Sequence, residues 1–91
     1  MTDQSKPWYV YIVRCRDGSL YTGISDDVQK RVEKHNSGKG TKYTAGRKPV
    51  VLVHTERCSN RRSALRRELK IKSSTRCEKL TLIAQVASMS P

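Results

Sequence analysis

The sequence predicts an α/β domain of the α+β type: a small three-stranded antiparallel sheet flanked by about three helices. Three observations carry this. Two runs rich in β-branched and aromatic residues, Trp8 to Arg14 and Leu20 to Ile24, flank the turn residues Arg16-Asp17-Gly18. A third apolar run, Val50 to Val53, follows Pro49 and ends at the polar His54-Thr55-Glu56, as a buried strand would. Three further stretches repeat apolar residues at helical spacing.

The hairpin admits two registers. A two-residue Asp17-Gly18 turn sets Arg14 opposite Tyr21 and leaves Tyr11 and Tyr21 on opposite faces of the sheet. A three-residue loop, with Gly18 at the left-handed bulge position, sets Val13 opposite Tyr21 and Tyr11 opposite Gly23, so both phenols share a face. Asp-Gly suits either turn, and the turn chemistry leaves both open.

Ser25, Asp26 and Asp27 are N-cap candidates for a helix running to about Asn36, where Ser37-Gly38 stops it. On a helical projection Val28 and Val32 define its apolar stripe, and Arg31 and His35 fall within the same arc. An arginine and a histidine one turn apart are therefore expected to face inward. Ser37 to Pro49 reads as a glycine-rich loop carrying Lys39, Lys42, Arg47 and Lys48 around Tyr43, a composition suited to phosphate and base contacts.

Ser59 or Asn60 caps a second helix to about Lys72, with Ala64, Leu65, Leu69 and Ile71 across its apolar arc and Glu68 in the middle of it. A carboxylate on a buried face needs a cation, which is either an internal partner such as Arg31 or a bound metal. Arg62, Arg66, Arg67 and Lys70 are placed on the outer face, where they are solvated or track a phosphate backbone. A last helix, about Thr75 to Ala87, repeats Leu80, Ile83, Ala84 and Ala87 and covers one face of the sheet. Residues 1–7 and 88–91 read as tails around a single domain of residues 8–87.

With 91 residues the chain has room for one core. Its 19 Lys and Arg against 8 Asp and Glu give a net charge of +11, which favours a polyanionic partner. No stretch approaches the roughly 18 apolar residues of a spanning helix, which disfavours a membrane partner and leaves nucleic acid. The opening MTDQSKP lacks the apolar core of a signal peptide, and Cys15, Cys58 and Cys77 are odd in number and far apart. A cytoplasmic protein with reduced thiols is expected, and the cysteine and histidine spacing fits no zinc site.

Taken in order, the segments YVYIVRC, DGSLYTGIS, HNSGKGTKYT, RKPVVLV and ALRRELKIK resemble the GIY-YIG nuclease superfamily, in detail its small stand-alone bacterial members. The resemblance covers roughly Trp8 to Ile83. It implies that Tyr11, Tyr21, Arg31, His35 and Tyr43 are catalytic and that Glu68 binds Mg²⁺ or Mn²⁺. It also implies that both tyrosines line one site, which selects the three-residue hairpin loop. The motifs depart from the family's in reading Tyr9-Val10-Tyr11 and Tyr21-Thr22-Gly23, each keeping its tyrosine. No asparagine follows Asn60, whereas many active members carry one after the glutamate.

The implied activity is metal-dependent hydrolysis of nucleic-acid phosphodiester bonds, with structure-selective DNA cleavage favoured. In that chemistry Tyr11 is the expected general base, its titration lowered from about 10 by Arg31 and the basic loop, and His35 is the rival base or a relay for the phenol's proton. The alternative is a module that binds DNA or RNA without cutting. Without an appended recognition domain, substrate shape is expected to outweigh base sequence, and delivery by a protein partner is compatible with so small a chain.

Overall fold

The computed structural model describes residues 6–89, with side chains through residue 85. Strands β1 (Trp8–Arg14), β2 (Leu20–Ser25) and β3 (Val51–Cys58) form one antiparallel sheet in the order β2-β1-β3. Helices α1 (Val28–Asn36) and α2 (Lys42–Ala45) lie between β2 and β3, and α3 (Arg61–Lys72) and α4 (Arg76–Met89) follow. The expected fold class holds, with one extra helical turn, α2, inside the glycine-rich loop.

The hairpin takes the three-residue loop. Cys15 N–H donates to the Ser19 carbonyl at 2.8 Å, Gly18 N–H donates to the Cys15 carbonyl at 2.9 Å, and Gly18 sits at φ 87°. This left-handed backbone costs glycine nothing and other residues more. Tyr11 consequently pairs with Gly23 and Val13 with Tyr21.

Being central, β1 is buried on both faces, and its alternation divides the core. Val10 and Ile12 pack with Ala64 and Ile71 of α3 and with Leu82 and Ile83 of α4. Tyr11, Val13 and Cys15 point the other way, against Val28, Val32 and Val50. The two helix starts follow the sequence: Asp27 accepts from Lys30 N–H at 3.1 Å, and Asn60 accepts from Ser63 N–H at 2.9 Å.

Several expectations need correction. The third strand does not stop at Val53 but runs to Cys58, and it is an edge strand, with Val51 and Leu52 exposed rather than buried on both sides. Glu56 enters the sheet because its charge is answered by Arg67 of α3, and it in turn meets the buried His54 two residues away. Arg67 donates from Nε to Glu56 Oε1 at 2.6 Å and from a terminal nitrogen to Oε2 at 3.0 Å, and His54 Nε2 lies 2.8 Å from Oε2. Arg67 is therefore not on the outer face of α3 with Arg62, Arg66 and Lys70, which are exposed.

Leu69 is also misplaced by the pattern: it is 68% exposed. The inward face of α3 is Ala64, Arg67, Glu68 and Ile71, an i, i+3, i+4, i+7 set. Its two charged members meet ion partners instead of apolar neighbours. Helix α4 begins one residue later than expected and continues past Ala87 to Met89, with Leu80 exposed. The expected tail residues 1–5 and 90–91, and the side chain of Ala87, lie outside the described residues.

Candidate active site

The two phenols and the helix α1 residues meet on the α1 side of the sheet, beside the edge strand β2. Tyr11 is 1% exposed, and its hydroxyl lies 2.8 Å from Nε2 of His35, which is fully buried. Tyr11 reaches His35 by lying across Gly23. A Cβ built on Gly23 would stand 2.6 Å from Tyr11 Oη and 2.8 Å from Cζ, closer than carbon atoms approach. The glycine of the Tyr-x-Gly strand is thus a steric requirement of the tyrosine opposite it. Gly23→Ala should cost about 1–3 kcal/mol of stability, read as a lower urea midpoint. Combining it with Tyr11→Phe, which removes the nearest atom, should cost less than the sum of the two.

Tyr21 packs edge-on to His35 with ring centroids 5.4 Å apart, and Tyr43 stacks on Tyr21 at 5.8 Å. The Arg47 guanidinium lies 4.0 Å above the Tyr43 ring and donates from Nε to Asp17 at 3.1 Å. Tyr43 and Arg47 therefore form an outer wall of the site, tied to the hairpin turn. Lys39, Lys42 and Lys48 project to solvent around it.

The glycine-rich loop after α1 packs directly on His35. Asn36 anchors its far end by accepting from Val50 N–H at 2.6 Å and donating to the Val50 carbonyl at 3.0 Å. Gly40 passes so close to His35 that a Cβ there would overlap the imidazole and come within 2.9 Å of the His35 Cα. Thr41 and Thr44 form a capping box that starts α2, and the fully buried Thr44 Oγ1 lies 2.7 Å from His35 Nδ1. Gly40, Thr44 and Asn36 were not singled out by sequence reasoning. A Thr three residues after another Thr is a capping signal, but nothing local announces its link to a histidine nine residues earlier.

Arg31 is half-buried, and its Nε is buried with no hydrogen-bond partner among the described residues. An unpaired guanidinium N–H beside a buried phenol is a donor without an acceptor, as an anion-binding group is when unliganded. Glu68 does not pair with Arg31. Its carboxylate, 14% exposed, meets Lys72 Nζ at 3.3 Å one turn along α3, while Lys72 itself is half exposed. Arg31 and, more weakly, Glu68 act electrostatically on the Tyr11 phenol.

Burial raises the Tyr11 pKa above its ordinary value of 10.0; Arg31 opposes this, and Tyr21 and Glu68 add to it. The expected lowering by Arg31 is real but outweighed by desolvation. Tyr11 is a neutral phenol at rest. Burial, then Arg31 and Lys34, lower His35 below 6.5, so its imidazole is neutral as well. A depressed histidine means that the unfolded chain binds more protons than the folded one below pH 6.5. Stability is therefore complete above 6.5 and falls as pH drops through the folded value. Urea midpoints measured between pH 7 and pH 5 should fall, and His35→Gln should flatten that slope.

A metal ion would find one carboxylate here, since no cluster of three or more His, Cys, Asp or Glu side chains exists among the described residues. Glu68 fits a single-carboxylate site of the kind Mg²⁺ accepts, where water and phosphate complete the shell. Its one ion partner, Lys72, sits on a flexible, half-exposed side chain that can be displaced.

A buried tyrosine on a buried histidine, with the unpaired Nε of Arg31 near them, forms the centre of this candidate site. The chain belongs to the GIY-YIG family: the GIY-YIG catalytic domain matches residues 7–81. It is 56% identical over 77 residues to a UPF0213 protein of Staphylococcus aureus and 52% identical over 77 residues to one of Staphylococcus saprophyticus. Each match covers 85% of this chain and 94% of the relative. Among solved structures it resembles a UPF0213 protein of Bacillus halodurans, with a TM-score of 0.57 and 46% identity over 87% of this chain and 84% of that one. A protein of E. faecalis aligns with a TM-score of 0.63 and 34% identity over 99% and 96% of the two chains.

Proposed function

We propose that this protein is a metal-dependent endonuclease that hydrolyses nucleic-acid phosphodiester bonds, with DNA selected by its shape. The observation that carries the reading is the buried Tyr11–His35 contact of 2.8 Å beside an Arg31 with an unpaired donor, on a chain of net charge +11. Both members of the pair are neutral at rest. Tyr11 takes a proton from the attacking water while passing its own to His35 Nε2, so neither group must be ionised beforehand. The new P–O bond forms as the bond to the sugar oxygen breaks. The departing oxygen takes a proton from solvent, and His35 later returns the one it holds.

Arg31 places its planar, permanently charged donors on a non-bridging oxygen, where charge builds in the transition state. Glu68 would hold Mg²⁺ or Mn²⁺, which when bound polarises the phosphate and stabilises the leaving oxygen. Tyr21 and Tyr43 wall the site and position the phosphate or water. Lys39, Lys42 and Lys48, with Arg62, Arg66 and Lys70 on α3, supply exposed charge for the backbone on either side. Arg67 is engaged by Glu56 and contributes least to that surface.

The test is cleavage of labelled single strands, duplexes, flaps and four-way junctions, as DNA and as RNA, with Mg²⁺, Mn²⁺ or EDTA. Metal-dependent cleavage with one preferred shape is expected. Binding that weakens steeply with salt, with no cleavage of any substrate under any condition, would replace the nuclease reading with a non-cutting nucleic-acid-binding module.

A further inference from the structure

Neutral histidine carries one proton on one of two nitrogens, and that choice decides which way the Tyr11–His35 hydrogen bond runs. Two ends of the network give the same answer. At the Tyr11 end, the buried phenolic O–H has a single hydrogen-bonding acceptor in reach among the described residues, His35 Nε2. The neighbouring Arg31 can only donate, so it competes for the phenol's lone pair and not for its proton. Nε2 must then be unprotonated.

At the other end, Thr44 has one hydroxyl hydrogen and acceptors for it within its own turn. These are the Thr41 carbonyl at 3.2 Å and Thr41 Oγ1 at 3.1 Å. With that hydrogen used locally, Thr44 Oγ1 faces His35 Nδ1 as an acceptor at 2.7 Å, and Nδ1 holds the ring proton. We propose that Thr44 is a positioning residue that fixes His35 in the Nδ1–H tautomer, so that Nε2 is the acceptor of the Tyr11 proton. The capping box is what makes this dependable, because it orients the Thr44 side chain before any substrate arrives. When His35 becomes cationic, Nδ1–H keeps its acceptor, and the transferred proton is held without a new unsatisfied donor. The consequence for rate rests on the nuclease reading; the tautomer does not.

The test begins with long-range ¹H–¹⁵N correlation spectra of the whole chain above pH ~7, where His35 is neutral. Wild type and Thr44→Ser should show His35 protonated at Nδ1 and bare at Nε2. Thr44→Val removes the acceptor and should move the proton to Nε2, reversing the bond to Tyr11. A wild-type His35 protonated at Nε2 overturns the proposal, as does a folded Thr44→Val protein that keeps its proton on Nδ1. If the valine variant does not fold, the wild-type and serine spectra still decide. In cleavage, Thr44→Val should lower kcat/KM on its pH plateau by on the order of 10²-fold, and Thr44→Ser should remain within a few-fold of wild type. Absence of cleavage in wild type would count against the nuclease reading and leave the spectroscopic result to stand alone.

Discussion

Tyr11→Phe is expected to lower the cleavage rate by roughly 10²- to 10⁴-fold while the chain stays folded. The substitution removes one atom, the hydroxyl oxygen that lies 2.8 Å from His35 Nε2 and receives Arg31 as a neighbouring donor. Losing it leaves a buried imidazole nitrogen unpaired, which costs about 1–3 kcal/mol, less than the usual stability of a domain. The ring itself keeps its place over Gly23 and against Val13. A large loss of rate from a small loss of stability is the signature of a group that handles the proton. The measurement is single-turnover cleavage beside a urea titration of the same protein. Retained activity would move the base role to His35, whose neutral imidazole is the only other proton acceptor described against Tyr11.

The same residues show where reading a sequence succeeds and where it fails. Local signals were legible: Asp27 among three cap candidates for α1 and Asn60 as one of two for α3, Gly18 as a turn residue, and the placement of Arg31 and His35 on the inward arc of α1. Each depends on backbone geometry within a few residues. The second half of β3 was not legible, because His54 and Glu56 look like a strand end unless Arg67, eleven residues beyond Glu56, is known to lie beneath them. Leu69 failed for a related reason: α3 gives part of its inward face to Arg67 and Glu68, so apolar periodicity points a leucine the wrong way. The direction of the Tyr11 titration failed because desolvation is a property of the finished core, whereas the cations that oppose it are visible in the chain. Thr44 was read as a loop residue because its partner is chosen by how the loop folds back over α1.

Glu68→Ala separates cutting from binding. In a nuclease that uses this carboxylate to hold its metal, the substitution should reduce cleavage by 10²-fold or more, with a loss of stability below about 1 kcal/mol. The stability side follows from the partner: Lys72 is half exposed and on the same helix, and such i, i+4 pairs contribute about 0.3–0.5 kcal/mol. The binding side follows from charge. Removing a carboxylate from a chain of net charge +11 lessens repulsion of the phosphate, so affinity for nucleic acid in EDTA should hold or rise. A simple structural role predicts instead that stability and cleavage fall together. A non-cutting module predicts no cleavage in wild type either, with binding indifferent to both metal and the substitution. Measuring cleavage in Mg²⁺, affinity in EDTA and the urea midpoint on one pair of proteins therefore assigns Glu68 to chemistry, to scaffold or to neither.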